Sequence, residues 1–163
     1  MNENPNRISW QQMFMEIAVI ASKRSCDPKT QVGACLVKDN CVIGIGYNGA
    51  PRGFGLDFDW AKEDKYDYVI HAEINAITNS QAIGANVTGA DVYVTLSPCH
   101  NCMKTLAQNR VKRVFYLEEY KDFELASKIA RYSGIELIRL PWPVSQEGFE
   151  KDKMNHTKKG MMP

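Results

Sequence analysis

The chain has 163 residues, 44 % hydrophobic and 24 % charged, with 20 lysines and arginines against 19 acidic residues. That length suits a single domain able to bury most of its unfolded-chain surface without disulfide staples. A net charge of +1 gives no electrostatic basis for binding nucleic acid or an anionic membrane surface, so an anionic ligand would have to be held by a few local cations. The polar start MNENPNRISW lacks the apolar run of a secretory leader, and no apolar stretch is long enough to span a bilayer. Five cysteines, an odd number, then point to a reducing, cytoplasmic setting, where closely spaced cysteines bind metal more often than they pair.

Taken in chain order, Ser9 is placed to cap a helix reaching Ser22, whose apolar residues Trp10, Phe14, Ile17 and Ala21 fall close to helical spacing. Residues 31–37 (QVGACLV) and 41–47 (CVIGIGY) are rich in β-branched residues and separated by Lys38-Asp39-Asn40, the pattern of a hairpin. Residues 49–55 read as a loop punctuated by Pro51, and residues 56–68 carry no clear period. A helical period returns from His71 through Ile74, Ile77 and Ala82, and Gly84 and Gly89 end it. A strand over 91–96, a helix over 99–109, a strand over 112–117, a helix over 123–132 and a short strand over 135–139 complete the pattern, with Gly134 as the last helix stop. Beyond Pro143 the chain turns polar and rich in lysine. The domain is therefore expected over residues 1–143, with a mobile tail over 144–163. The order αββαβαβαβ predicts an α/β fold: a central sheet with helices on both faces, opened by an antiparallel hairpin and continued by crossover units.

The stretch GIGYNG, Gly44 to Gly49, matches the dinucleotide fingerprint G-x-G-x-x-G letter for letter. That motif works only when its glycines turn a strand directly into a helix whose N-terminus holds the pyrophosphate. Here the strand is followed by Ala50-Pro51-Arg52-Gly53, which propagates helix poorly, so NAD is not the expected ligand. Cys35 and Cys41, in apolar strands, are expected to pack as small hydrophobes.

The chemistry lies in two other segments, His71-Ala72-Glu73 at one helix start and Pro98-Cys99-His100-Asn101-Cys102 at the next. One histidine and two cysteines make three zinc ligands, the number used when a fourth position is kept for water. Residues two apart on a helix point to nearly opposite sides, so His71 and Glu73 share a site only if the metal sits over the helix end, with His71 at its entry. Cys99 and Cys102, three apart, lie on one face of a first turn, and Pro98 suits a first helical position. Both motifs would then aim helix N-termini at one metal and favour thiolates over thiols. Alone, the C-x-x-C could be a redox pair or two small core residues, and a closed structural site would need His100 as a fourth ligand. The whole arrangement H-x-E…P-C-x-x-C is the signature of zinc nucleobase deaminases.

With RSCDPKTQVGA (24–34), GIGYNGAPRG (44–53), HAEINAI (71–77) and TLSPCHNC (95–102), the chain resembles the deoxycytidylate (dCMP) deaminases of the cytidine deaminase superfamily. The zinc motifs suit many members of that superfamily; the first two stretches point to dCMP. The resemblance runs from Ser9 to Leu140 and implies a three-layer cytidine-deaminase-like fold, with a mixed five-stranded sheet between helices. It implies hydrolysis of dCMP to dUMP and ammonia, on the route that supplies dTTP precursors. Zinc on His71, Cys99 and Cys102 would acidify water, and Glu73 would carry its protons to the ring nitrogen and the departing amine. The resemblance also places the Ala72 N–H at the pyrimidine carbonyl, Asn48 near sugar and base, and Tyr120 against the ring or sugar. The 5′-phosphate needs cations, with Arg24 first and Lys29 and Arg52 behind it. Tyr47, Asn48 and Gly49 are implied as a regulatory site where dCTP with Mg²⁺ activates and dTTP inhibits, in a homo-hexamer.

Three rivals stand beside this reading. A tRNA adenosine deaminase would show a basic surface, which the charge balance does not support although the lysine-rich tail partly does. Free cytidine enzymes resemble the chain less, since they typically carry a third cysteine at the position of His71. A catalytically silent nucleotide sensor that keeps zinc as structure would have no use for Glu73.

Overall fold

Ser9 caps α1 (Trp10–Ser22), its Oγ accepting from the Gln12 N–H at 3.0 Å. This helix opens a computed structural model that describes residues 6–54, 59–60 and 63–142, so the tail expected over 144–163 lies outside the described residues. Strands β1 (Gly33–Lys38) and β2 (Cys41–Tyr47) form the expected hairpin. Its turn is Asp39-Asn40 alone: both residues take positive φ, 51° and 59°, as a two-residue type I′ turn requires, and Lys38 belongs to the strand. Helix α2 (Ala72–Ala82), β3 (Asp91–Leu96), α3 (His100–Gln108), β4 (Arg113–Glu118), α4 (Phe123–Tyr132) and β5 (Glu136–Arg139) follow in the expected order. A 3-10 helix over Glu63–Asp67 is an addition. One turn is too short to print a period on the sequence.

The strands lie in the order β2-β1-β3-β4-β5, with β1 antiparallel to both neighbours and β3, β4 and β5 mutually parallel. The sheet is mixed because a hairpin joins its first two strands, while α3 and α4 act as the crossovers that parallel neighbours need. Side chains alternate across it. Cys35, Val37, Tyr93 and Phe115 face α1 through Phe14, Met15 and Ala18. Ala34, Leu36, Val92 and Val114 face α2, α3 and α4 through Ala76, Met103, Leu106 and Ala130. Three layers result, as expected. Cys35 is buried as anticipated, but Cys41 is exposed, because it opens an edge strand outside either core layer. Among the described residues no helix is long and apolar enough to cross a membrane.

The glycines of GIGYNG find their use here. A Cβ on Gly44 would stand 1.9 Å from Ser80 Oγ, and one on Gly46 would stand 2.3 Å from the Ala72 carbonyl oxygen and from the Ala76 nitrogen. Helix α2 therefore lies directly on the β2 backbone, and the two missing side chains permit that approach. After Tyr47 the chain runs into an irregular loop and not a helix, so the pyrophosphate geometry of a dinucleotide fingerprint is absent. Gly46→Ala should lower stability by about 1–3 kcal/mol or more in urea denaturation, since helix backbone and not a flexible side chain must give way. Gly49→Ala, whose Cβ would meet nothing closer than the Tyr47 ring at 3.6 Å, should cost under about 1 kcal/mol in the same measurement.

Candidate active site

Strands β3 and β4 run parallel, and their carboxyl ends meet the start of antiparallel β1 at one edge of the sheet. A cleft opens there. Thr30 and Val32 line it ahead of β1, Leu96 ends β3 and Ser97 follows it, and Tyr120 follows β4. Ligands collect at such places because strands diverge where the connection changes direction, leaving a crevice between loops. Ser97 holds two of these loops together. Its N–H donates to the Glu118 carbonyl at 2.8 Å, and its Oγ accepts from the Tyr120 N–H at 2.8 Å.

The helix-end difficulty is resolved by capping. His71 is the N-cap of α2, in extended conformation (φ −71°, ψ 154°) with no side-chain capping bond, so its imidazole is free to turn outward while Glu73 sits in the first turn. The cap position is held from outside the helix: Gly49 and Ile70 exchange both backbone hydrogen bonds, at 3.0 and 2.8 Å, which ties the GYNG loop to the residue before His71. Cys99 likewise caps α3, its Sγ accepting from the Cys102 N–H at 3.4 Å. Helix α3 thus starts one residue later than expected, and Pro98 precedes the cap where a first helical position was anticipated.

His71 Nδ1 lies 3.5 Å from Cys99 Sγ and 3.3 Å from Cys102 Sγ. Among the described residues these three form the one group of three or more potential ligand residues with all donor atoms within 4.8 Å of one another. A tetrahedral zinc spaces an imidazole nitrogen about 3.6 Å from a thiolate, so both the spacing and the nitrogen-plus-sulfur chemistry fit. The charge balance fits as well. Cys99 is held down to about 4, chiefly by its hydrogen bond with Cys102 and against its burial. Cys102 is pushed well above the ordinary thiol range, first by that same bond and then by burial. His71 is raised, chiefly by its bond to Cys99. Glu73 is 3 % exposed, and burial pushes its carboxyl up to about 7. It lines the cleft beside the three donors without belonging to their set.

Of the remaining expected residues, Ala72, Asn48 and Tyr120 line the cleft. Ala72 is the first residue of α2, so its N–H has no acceptor within the helix. The Asn48 amide ties the two loops around it, Oδ1 accepting from the Val32 N–H and Nδ2 donating to the Thr30 carbonyl, both at 2.8 Å. Tyr47 gives its carbonyl to Asn75 Nδ2 at 2.8 Å, and Gly49 is spent on the bridge to Ile70; neither lines the cleft. Arg24 and Lys29 are exposed and outside the lining, and Arg52 donates to Asn79 Oδ1 at 2.6 Å. His100 does not join the metal donors. Its Nδ1 pairs with Asp122 Oδ2, which also accepts the His100 N–H at 3.2 Å.

Sequence reasoning missed four residues. Tyr66 lines the cleft, and the Lys121 ammonium lies 5.9 Å from its ring centroid and 5.6 Å from that of Tyr120. Asp27 and Lys65 form a buried ion pair at 2.8 Å, with Asp27 in the cleft wall. Asp27 stood in the RSCDP stretch, but nothing in the sequence named its partner 38 residues away.

Two substitutions separate the ligand set from its neighbour. Cys102→Ser should cut bound zinc, measured per chain by elemental analysis, about 10-fold or more, while His100→Ala should leave it unchanged.

Residues 8–118 match the family model for the cytidine and deoxycytidylate deaminase zinc-binding region. The chain is 46 % identical over 137 residues to the probable deoxycytidylate deaminase of Caenorhabditis elegans, covering 80 % of this chain and 67 % of that one. It is 40 % identical over 129 residues to the human deoxycytidylate deaminase, covering 74 % and 71 %. Among solved structures it is similar to the dCMP deaminase of cyanophage S-TIM5 in complex with dCMP and dUMP, at 28 % identity and a TM-score of 0.71, over 85 % of this chain and all of that one. The match spans both zinc motifs and the whole sheet up to β4, and the chain belongs to the cytidine and deoxycytidylate deaminase family.

Proposed function

We propose that this chain hydrolyses dCMP to dUMP and ammonia in the cytoplasm, as a zinc enzyme supplying dTTP precursors. The observation that carries the reading is a buried carboxylate, Glu73, lining the cleft beside a His/Cys/Cys donor set to which it does not belong. Relatives named deoxycytidylate deaminase, and a similar structure holding dCMP and dUMP, support the choice of substrate.

His71, Cys99 and Cys102 would hold the zinc. When bound it supplies Lewis acidity, enough to make water a nucleophile near neutral pH. The chain's own residues do the rest. Glu73 takes one proton from the attacking water and delivers it to ring nitrogen N3, so that C4 accepts the oxygen. It then moves the second proton to the amino group, which leaves as ammonia; both water protons are accounted for. The Ala72 N–H, at the positive end of α2, donates to the pyrimidine O2. Asn48 holds the wall against which the deoxyribose lies, and Tyr120 closes the other side and keeps bulk water from the ring.

The 5′-phosphate would be met by Lys121, whose ammonium lies 5.9 Å from the Tyr66 ring centroid and 5.6 Å from that of Tyr120, or by Arg24. Regulation by dCTP with Mg²⁺ and by dTTP, through Tyr47, Asn48 and Gly49 in a homo-hexamer, is the further part of the proposal.

Ammonia release from dCMP by the zinc-loaded protein should rise with dCTP plus Mg²⁺ and fall with dTTP. Indifference to both would remove the regulatory site and keep the chemistry; absence of turnover would remove the dCMP reading. Glu73→Ala should keep its zinc and lose about 10²–10⁴-fold in kcat. Lys121→Met should lower kcat/KM for dCMP about 10-fold while leaving deoxycytidine unaffected. The same selective loss in Arg24→Met with none in Lys121→Met would assign the phosphate to Arg24 instead.

A further inference from the structure

Two nearly inaccessible charges in the cleft wall take no part in the chemistry above. The Lys65 ammonium lies 2.8 Å from both carboxylate oxygens of Asp27, and the two side chains are 4 % and 2 % exposed. Burying an ion pair gives little net stability against an apolar pair of the same volume, so its retention calls for another reason. We propose that Asp27 and Lys65 are a positioning pair that fixes the two irregular walls of the cleft against each other and so sets its affinity for the nucleotide. This rests on the deaminase reading given above and adds residues that it leaves unused.

The first wall is organised by Asp27. Its Oδ1 accepts from the N–H groups of Lys29 and Thr30 at 2.9 and 3.2 Å, an Asx-type turn, and its own N–H donates to Ser25 Oγ at 3.2 Å. Thr30 and Val32, which follow, line the cleft.

The second wall is organised by Lys65. It sits in the short 3-10 helix over Glu63–Asp67, and so short an isolated helix does not hold its own shape. Its carbonyl accepts from the N–H groups of Tyr68 and Val69, both at 3.1 Å, so the placement of Lys65 sets the path through Val69 into the Gly49–Ile70 bridge. Tyr66 and Val69 line the same cleft as Thr30 and Val32. Neither wall belongs to the sheet or to a helix of the core. The ion pair is thus a direct side-chain bond from one irregular wall to the other, and none of its hydrogen bonds reaches His71, Glu73, Cys99 or Cys102. Loosening it moves the substrate surface, while His71, Cys99 and Cys102 keep the anchorage of their own helix starts.

Removing one partner alone strands a buried charge and damages any protein, so the informative variants remove both charges. Asp27→Asn/Lys65→Met should keep its zinc content and its kcat within about 3-fold while KM for dCMP rises about 10-fold or more. Asp27→Asn/Lys65→Gln, which restores a neutral hydrogen-bonded tether, should recover most of that rise. Amide exchange reads the walls without turnover: protection over residues 66–70 should fall about 10-fold or more in the methionine variant, with α2 and β3 unchanged. Unchanged exchange over 66–70, or an unchanged KM, overturns the proposal, as does a loss of zinc, kcat and global stability together. A wild-type protein that releases no ammonia from dCMP overturns the substrate reading alone, and the exchange measurement still decides the role of the pair.

Discussion

The contact on which this molecule depends is the approach of the His71 imidazole to two thiols, at 3.3 and 3.5 Å, across the gap between two helix starts. Nothing local creates it. His71 and Cys99 are 28 residues apart, and each is an N-cap, set by how its own helix leaves the sheet. Helix α2 is aimed by its contact with β2. Two glycines let it lie on the strand backbone, and the Asn75 and Asn79 side chains each donate at 2.8 Å to an edge carbonyl, of Tyr47 and Ile45 respectively. Those two bonds do the work of an absent neighbouring strand: they satisfy edge carbonyls and fix the helix along the strand. Helix α3 is aimed by β3, because a parallel strand must hand the chain to a crossover at its carboxyl end. A slip of one residue on either side would turn one set of donors away from the other.

Charge is distributed around that contact with little waste. Negative groups gather where two helix N-termini point, which lowers the cost of thiolates and of a buried carboxylate next to one another. Burial is the chief reason that the Glu73 carboxyl is lifted to about 7. His100 lies between the two ligand cysteines and is taken out of contention by Asp122, which draws its ring to the α4 side. Burial also pushes Asp27 up, but Lys65 and two backbone N–H groups more than offset this and hold it below the usual range. Two acidic groups in one cleft thus shift in opposite directions, each set by its immediate surroundings.

Long, periodic segments were legible because periodicity is a local property. Four helices and five strands stand where apolar spacing put them, and the two zinc motifs were readable because their spacing carries the chemistry. The 3-10 turn was illegible, since five residues cannot print a period. The exposure of Cys41 was misjudged from strand composition, which does not say whether a strand lies at the edge. Lys65, Tyr66 and Lys121 lie in segments without motif or period, so only the folded arrangement brings Tyr66 to the cleft and the two lysines to Asp27 and Tyr120, which line it.

By itself the sequence determined the α-helices and strands, their order, the mixed sheet that order implies, and the candidate metal donors with the carboxylate beside them. Each of these follows from residue type at short spacing, which the chain carries wherever it goes. Tertiary structure decided the strand order, the closing of two distant helix starts onto one site, and the walls that make that site a cleft. Strand order rests on which hydrophobic faces meet, and the walls rest on bonds such as Asp27–Lys65 and Asn48–Val32. Partners separated by 38 and 16 residues leave no mark on one another's local sequence, so they are chosen only when the chain folds.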